Sequence, residues 1–216
     1  MPTRCDRLYW FARTRERTIR VAQELLVERG YAGTTMADIA ARADVAVQTL
    51  YFTFHTKPEL LSACFEAAVL GDDSPSPPPE QGWHRSMLDA STGPAALRHF
   101  AEGNTDIVRR VVGLAEVLRS AVHEPEVLEV KKRHEHLRRE GYGRVVEHLD
   151  QKFGLLSVLD RDTATDLLLS LGSPSQYRTL VIDCGWRLEH YVDWLAGTLV
   201  QQLLRDPTSD LSRDRQ

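Results

Sequence analysis

The chain has 216 residues, of which 42% are hydrophobic and 27% charged, and its formal net charge is −4. This composition is typical of a soluble globular protein that buries a core without disulfides or metals. No apolar run is long enough for a membrane helix or fits a signal peptide, and the three cysteines form no CxxC pair, so we expect a cytoplasmic protein without a disulfide scaffold or zinc ribbon.

Charge is distributed unevenly along the sequence. Residues 1–58 contain nine Lys and Arg against six Asp and Glu, a balance of +3, whereas residues 59–216 carry −7. An acidic body with a basic N-terminal region favours contact with a nucleic acid at that region and disfavours it elsewhere.

The first predicted helix spans residues 14–29. Its apolar residues recur at helical spacing, and Gly30 provides a left-handed cap at its end. Before it, residues 1–13 combine arginines with aromatic side chains. They form either an arm that reaches DNA or folds over the first helix, or a partly disordered start.

Residues 35–57, TMADIAARADVAVQTLYFTFHTK, carry the pattern of a helix-turn-helix. Thr35 and the carboxylate three residues later fit a capping box at the start of a short helix. Asp44 lies in the break after that helix, and Asp tolerates a left-handed turn better than most residues. A second short helix then places Leu50 and Phe54 on one face, as a pair of crossing helices requires.

The outward face of this second helix, residues 47–54, fits a reading surface for DNA. Val47, Gln48 and Thr49 lie at its N-terminal end, which in this motif meets base edges in the major groove. Gln pairs with adenine, and apolar groups suit the methyl of thymine. Side chains suited to phosphate oxygens follow at Tyr51, His55, Thr56 and Lys57. The alternative is a plain pair of core helices in an all-α protein.

A larger set of residues, at fixed spacing within residues 15–62, fits one known family: Ile19, Ala22, Leu25, Leu26, Gly30, Tyr31, Thr34, Thr35, Ile39, Ala40, Ala43, Val45, Thr49, Leu50, Tyr51, Phe54, Lys57, Leu60 and Leu61. Over these residues the chain resembles the DNA-binding domain of the TetR family of bacterial transcriptional regulators. The resemblance implies a dimeric repressor that binds a palindromic operator and releases it when a ligand enters the C-terminal domain.

The resemblance also assigns roles to individual positions. Thr35, Thr49, Tyr51 and Lys57 match the family's phosphate-contacting positions, and Val47 and Gln48 fall at its reading positions.

Two residues depart from the family pattern. Asp44 stands where the family usually has Gly, and Ala46 where it has a small hydroxyl residue. Losing the hydroxyl cap weakens the helix start by about 1 kcal/mol. The carboxylate of Asp44 puts a full-strength phosphate contact at that corner in doubt.

The rest of the chain is predicted to be helical. Pro58 opens a fourth helix, apolar on much of its circumference, which the family uses as a mechanical link to the ligand domain. A surface loop is expected over residues 71–82, and a tail from Asp206. The further predicted helices span residues 83–90, 95–101, 104–122, 125–153, 162–171, 174–183 and 186–204.

An apolar pocket for a small organic effector is expected among the C-terminal helices. Its candidate residues combine aromatic walls with polar groups: Met87, Phe100, Asn104, His134 and Tyr142. Each of them is alternatively an ordinary core residue. The helices within residues 162–204 are expected to form the homodimer interface, although the leucine stripe of the last helix could instead be only core.

The sequence offers no signature of catalysis. A Gly-rich phosphate loop, an HExxH motif and a GxSxG elbow are all missing, so we expect no catalytic residues and no cofactor. His134 and His136 point in nearly opposite directions on one helix and cannot share a metal. We therefore expect no metal site, leaving open that His99, His123, His134 and Cys64 converge from different helices.

The sequence thus predicts an all-α protein with a three-helix DNA-binding domain over residues 1–57, including the N-terminal segment 1–13. A helical ligand-binding and dimerisation domain is expected over residues 58–216. The expected function is a ligand-released, homodimeric repressor of a palindromic operator on double-stranded DNA, and not an enzyme or a membrane protein. A ligand-independent regulator, an activator, and a helical small-molecule-binding protein without DNA function are the alternatives.

Overall fold

Ten α-helices make up most of the residues that this computed structural model describes, which are 4–71 and 76–205, with side chains from residue 12 onward. Their bounds are α1 Arg4–Arg29, α2 Met36–Arg42, α3 Val47–Phe54, α4 Lys57–Leu70, α5 Gly82–Asp89, α6 Gly93–Ser120, α7 Pro125–Phe153, α8 Arg161–Leu171, α9 Pro174–Tyr177 and α10 Leu188–Leu203. Within these described ranges the only β-type pairing is an isolated antiparallel bridge between Leu155 and Leu204. The predicted all-α fold is confirmed.

Contacts between Cα atoms divide the chain into two compact units. The first comprises Met1–Pro75 with Gly113–His134, and the second comprises Ser76–Val112 with Glu135–Gln216. Helices α6 and α7 each contribute to both units. The compact units do not coincide with the expected boundary after residue 57, which stays a prediction.

The first unit is built on the buried face of α1. This helix packs against α2 and α4, and α3 packs against α2 and α4 in turn. The side chains that fill the centre are apolar and recur every three or four residues: Ile19, Ala22, Leu25, Leu26, Ile39, Ala40, Leu50, Phe54, Leu60, Leu61 and Cys64. Gly30 has a φ of 71°, which confirms the left-handed cap after α1.

The start of the chain differs from the sequence expectation. Helix α1 begins at Arg4, ten residues before the predicted start at Thr14, so the predicted helix start and the partly disordered start over residues 4–13 are wrong, whereas contact of this segment with DNA stays a prediction. Residues 1–3 lie outside the described ranges. The helix-forming character of Arg, Leu and Ala in this stretch is sufficient to continue α1 toward the N-terminus.

The second unit encloses an apolar core contributed by all of its helices. Met87 on α5, Phe100 on α6, Leu149 on α7, Leu168 on α8 and Tyr191 on α10 are each at most 1% exposed. The leucine stripe of α10 belongs to this core, since its members Leu195, Leu199 and Leu203 are fully buried within the single chain. The alternative reading of that stripe as core is therefore the correct one.

One helix break was predicted wrongly. Helix α6 runs without interruption from Gly93 to Ser120, through the expected break between residues 101 and 104. Gly103 lies in the middle of the helix, where a Cβ atom would come within 2.1 Å of the Trp83 ring. The absence of a side chain at Gly103 lets α5 pack closely against α6, and the glycine does not end the helix.

The predicted loop at residues 71–82 contains a short regular turn, and the predicted helix at residues 174–183 changes from α to π geometry. Within the loop predicted for residues 71–82, Pro78–Glu80 forms one 3₁₀ turn, and residues 72–75 lie outside the described ranges. Helix α9 continues as a π-helical turn over Arg178–Asp183 and stops before Gly185, whose φ is 72°. The predicted tail from Asp206 also falls outside the described ranges.

Candidate nucleic-acid interface

Helix α2 starts at the predicted capping box. The Thr35 side chain accepts a hydrogen bond from the Asp38 amide at 3.1 Å, and the Asp38 carboxylate accepts one from the Thr35 amide at 3.0 Å. The hydrogen bonds from the Thr35 hydroxyl and amide lower the pKa of Asp38. Because both orphan amides are satisfied, the entry into the helix-turn-helix is fixed by local chemistry alone.

The turn between α2 and α3 is tight and contains one left-handed residue. Asp44 has a φ of 52°, as expected from its tolerance of that region. The amide of Val45 donates to the carbonyl of Ala40 at 3.0 Å, which draws the chain back over the end of α2. Ala43 is 1% exposed and packs under the turn, so only a small side chain fits at this corner.

Helix α3 spans Val47–Phe54 and presents two distinct faces. Leu50 is 1% exposed and Phe54 is 5% exposed, so this side packs onto the core of the first unit, as predicted. Gln48 is exposed, whereas Val47 and Thr49 are half-buried. Ala46, the residue before the helix, makes no side-chain hydrogen bond to cap α3. This agrees with the departure noted in the sequence, where Ala46 replaces the family's small hydroxyl residue.

The C-terminal end of α3 is strained. His55 has φ 59° and ψ −56°, and the amide of Thr56 donates to the carbonyl of Phe54 at 2.6 Å. This i to i+2 hydrogen bond defines a γ-turn of the rare form with positive φ. The turn places the exposed imidazole of His55 between α3 and α4, and the Thr56 side chain then caps α4 by accepting from the Glu59 amide at 3.3 Å.

Tyr51 and Lys57 differ in how available their polar groups are. The Tyr51 side chain is 50% exposed. The Lys57 ammonium is half-buried, donates to the Tyr31 carbonyl at 2.5 Å and lies 3.8 Å from the centroid of the Tyr31 ring. Burial lowers the pKa of Lys57, and the nearby Glu124 opposes that change. Burial, with Glu126 and Glu124, raises the pKa of Tyr31 to about 12.

Sequence reasoning did not single out Phe52, which the structure makes conspicuous. Its side chain is 74% exposed on α3, more than the side chains of Tyr51 at 50% or Val27 at 53%. The helical period of about 100° per residue places it opposite the buried Leu50. That spacing is available in the sequence, but how far the ring is exposed depends on the helices that pack around α3.

The five candidate ligand residues do not all lie in one unit. Met87, Phe100, Asn104 and Tyr142 belong to the second unit, where all but the half-buried Tyr142 are at most 3% exposed. His134 belongs to the first unit.

Three of these residues pack directly on one another. Tyr142 donates a hydrogen bond to the Asn104 side-chain carbonyl, and Asn104 donates to the Gly172 carbonyl at 3.1 Å. The Phe100 and Tyr142 rings meet edge to face with centroids 5.4 Å apart. Burial raises the pKa of Tyr142 to about 12, so this phenol is a neutral donor at any ordinary pH.

His134 connects α7 to α4 within the first unit. Its Nε2 atom lies 3.1 Å from the Ser62 hydroxyl, and its ring packs on Phe65 with centroids 4.6 Å apart. Burial lowers the pKa of His134, Glu66 counteracts that effect and Arg133 adds to it. The imidazole is therefore a neutral hydrogen-bonding group in this helix contact.

Among the residues that the structure describes, no three His, Cys, Asp or Glu side chains come together in a way that could hold a metal. Cys64 is buried, which raises the pKa of its thiol to about 12, and Cys184 is exposed. His136 points to solvent and pairs with Glu140 at 3.3 Å, as its opposite direction to His134 predicts. No helix in the described ranges is long and apolar enough to cross a membrane.

Comparison with known proteins identifies this arrangement. Residues 19–64, from the middle of α1 into α4, match the family model of bacterial regulatory proteins, tetR family. These residues, which include the helix-turn-helix, match the N-terminal DNA-binding domain of the TetR family. The chain's all-α fold with an N-terminal helix-turn-helix is the fold of TetR-family transcriptional regulators, and it supports a DNA-binding regulator.

Solved structures share the TetR fold along most of the chain. NalD, the secondary repressor of the MexAB-OprM multidrug efflux pump in Pseudomonas aeruginosa, is 19% identical, with a TM-score of 0.64, 90% of this chain covered and 98% of that chain. The fatty acid degradation regulator FadR from Bacillus halodurans is 18% identical, with a TM-score of 0.65, 87% of this chain covered and 94% of that chain. At these identities the likeness concerns the fold alone. Among curated proteins, none matches the chain.

Proposed function

We propose that this protein is a homodimeric transcriptional repressor that binds a palindromic operator and leaves it when a small organic effector binds. The observation that carries the proposal is the geometry of α3, which buries Leu50 and Phe54 and turns Gln48 and Tyr51 to solvent. A helix held by one face with polar groups on the other is what entry into a major groove requires.

Each DNA-contacting residue predicted on and around α3 has a role in this proposal. Gln48 reads an adenine edge through its amide, and Val47 contributes an apolar contact at the start of the helix. The Thr49 hydroxyl, the Tyr51 phenol and the His55 imidazole contact phosphates along the two strands. The Thr35 hydroxyl donates its one proton to the Asp38 carboxylate at 2.6 Å, so Thr35 contacts a phosphate only when that hydrogen bond opens.

Lys57 needs a separate account, because Tyr31 already engages it. The ammonium has three N–H donors, and the Tyr31 carbonyl takes one of them at 2.5 Å. Two donors remain for a phosphate oxygen, while the ring of Tyr31 holds the side chain in place. We assign Lys57 to a preorganised phosphate contact beside α3.

The proposed dimer interface lies on the outward faces of α8 and α10, since their inward leucines fill the core. Leu167 and Leu171 on α8 and Trp194 on α10 are half-buried in the single chain. A Cβ atom on Gly197 of α10 would meet no described atom within 4 Å, so no described neighbour requires a glycine there. A glycine on an open helix face lets a partner helix approach closely, as a twofold interface needs.

The proposed effector site centres on Phe100, Asn104 and Tyr142, a directly packed cluster of two aromatic rings and one polar pair that an effector has to separate. Helices α6 and α7 carry these residues and continue along the chain into the first unit. There His134 and Ser62 join α7 to α4, 3.1 Å apart. We infer that effector binding displaces α7, tilts α4, and changes the separation of the two α3 helices from about 34 Å, one turn of DNA.

The decisive experiment selects bound sequences from a random duplex pool with wild-type, Gln48→Ala and Tyr51→Ala proteins. We expect an enriched palindrome for the wild type, an altered base preference at one position for Gln48→Ala, and strongly weakened binding for Tyr51→Ala. Gln151→Ala, at an exposed glutamine on α7 whose side chain donates to Glu147 of the same helix, is the matched control and should select the wild-type palindrome. If no sequence is enriched even at low salt, where phosphate contacts are strongest, the repressor proposal is wrong.

A further inference from the structure

The outward face of α3 is centred on an aromatic residue that the assigned DNA contacts leave out. At about 100° per residue, Phe52 is two residues, and so about 160° around the helix, from both Leu50 and Phe54, the two residues that anchor the helix. Gln48 lies one turn earlier on the same side, while Thr49 and Tyr51 flank this line. Phe52 is 74% exposed, whereas Val47, the apolar residue expected to read a base, is half-buried.

Among the described residues, no aromatic or cation–π contact involves Phe52. The phenylalanine rings in such contacts are those of Phe54, Phe65, Phe100 and Phe153. The γ-turn at His55 ends the helix soon after and leads the chain away into α4. Phe52 therefore projects from the same face as the polar groups that fit DNA, in the basic N-terminal part of an acidic chain.

We propose that Phe52 is a base-reading residue that packs against the 5-methyl group of a thymine in the operator. This inference rests on the proposed DNA-binding function and adds a specificity determinant to it. An exposed aromatic ring beside a glutamine amide matches the two chemistries the major groove offers at A·T pairs, a methyl group and the adenine edge.

The spacing of the two side chains places the thymine relative to the adenine. Gln48 and Phe52 are four residues apart, which is a rise of about 6 Å along the helix. Base pairs follow one another about every 3.4 Å along each strand. The thymine read by Phe52 therefore lies about two base pairs from the adenine read by Gln48, and the dyad repeats this pair in the other half-site.

The test removes the methyl group alone. Each thymine of the selected operator is replaced in turn by deoxyuridine, symmetrically in both half-sites, and affinities are measured for wild-type and Phe52→Ala proteins. Burying one methylene contributes about 0.8 kcal/mol, which corresponds to about a fourfold change in affinity per half-site. We expect a loss of roughly fifteenfold for wild-type protein at one symmetric position, from a fourfold change in each of the two half-sites, and no further loss there for Phe52→Ala.

Two control variants separate contact with a thymine methyl group from a general change in affinity. Phe52→Leu keeps an apolar group and should retain part of the deoxyuridine effect. Val158→Ala removes a side chain that is 85% exposed in the second unit and should leave both affinity and methyl sensitivity unchanged. Thermal unfolding of Phe52→Ala should match the wild type, because the ring is exposed.

Three results would contradict the assignment of Phe52 as a thymine-reading residue or the function on which it rests. If Phe52→Ala keeps the same deoxyuridine sensitivity as the wild type, or if no thymine methyl matters, Phe52 does not read a thymine. If Phe52→Ala instead changes the oligomeric state and leaves methyl sensitivity intact, the residue is a protein contact and the inference is wrong. Failure of the wild-type protein to bind any duplex would overturn the proposed function itself, which the selection experiment detects separately.

Discussion

A serine at position 46 should stabilise the start of α3. Ala46 has φ −69° and ψ 140°, within about 15° of the backbone at Ser173, which has φ −80° and ψ 153°. Ser173 caps α9 by accepting from the Gln176 amide at 3.1 Å. The same side chain in Ala46→Ser would reach the amide of Thr49, which occupies the equivalent place in α3.

The gain in stability expected for Ala46→Ser depends on the hydrogen bond that the Thr49 amide already makes. It donates to the Ala46 carbonyl at 2.9 Å, so the amide is only partly unsatisfied. A hydroxyl cap typically contributes about 1 kcal/mol relative to alanine, and this competing hydrogen bond reduces the gain to roughly 0.5–1 kcal/mol. With a urea dependence of about 2 kcal/mol per molar, the unfolding midpoint rises by about 0.3–0.5 M.

The assay is urea unfolding followed by circular dichroism, with hydrogen exchange of the α3 amides as a local readout. Ala41→Ser makes the same chemical change on the exposed side of α2, where no amide awaits a cap, and should be neutral or slightly destabilising. If Ala46→Ser shifts the midpoint no more than Ala41→Ser does, the helix start does not lack a cap and the reasoning fails.

Three other substitutions test neighbouring features. Asp44→Gly removes a carboxylate from the turn and a side chain at φ 52°, so DNA affinity should rise, most strongly at low salt, in filter-binding titrations. His55→Gly relieves the γ-turn and should raise the free energy of unfolding by about 1 kcal/mol in urea titrations. For His134, urea titrations from pH 7.5 to 5 should show stability falling as pH decreases, and falling less in His134→Gln.

The sign of the pH effect follows from the direction of the pKa change. Burial lowers the pKa of His134 below its ordinary 6.5, so below that pH the unfolded chain binds the proton more readily than the folded one. Stability is therefore complete above pH 6.5 and decreases as the pH falls toward the lowered value. Burial also lowers the pKa of His84 and His148, so the comparison is between variants. His136→Gln, at a side chain 72% exposed, should follow the wild type.

Sequence reasoning succeeded where local chemistry decides the structure. The capping box at Thr35, the left-handed residues Gly30 and Asp44, and the start of α7 at Pro125 all depend on residues within one helical turn. Helical periodicity likewise identified Leu50 and Phe54 as the buried face of α3. These signals need no knowledge of the rest of the fold.

Sequence reasoning failed where contacts between residues distant in the chain determine the structure. Gly103 looked like a helix break because its partner, Trp83, lies on another helix. Lys57 lies 26 residues from Tyr31, and His134 lies 72 residues from Ser62, so neither contact could be inferred from spacing. Helical periodicity cannot distinguish an apolar stripe that faces the core of its own chain from one that faces a second chain. The sequence therefore could not assign the leucine stripe of α10 to the core.

The departures from ideal local structure in the first unit concentrate at the two ends of α3. Asp44 is left-handed, Ala46 leaves the helix start uncapped, and His55 occupies a strained γ-turn, whereas Thr35 and Thr56 cap the flanking helices. Each feature costs on the order of 1 kcal/mol, and the flanking caps confirm that the chain can satisfy such positions. A reading helix that is only weakly fixed can adjust in the groove, with DNA contacts supplying the missing stabilisation. We therefore expect Ala46→Ser and His55→Gly to stabilise the free protein more than they raise operator affinity. Equal gains in both measurements would mean that α3 binds as a rigid element.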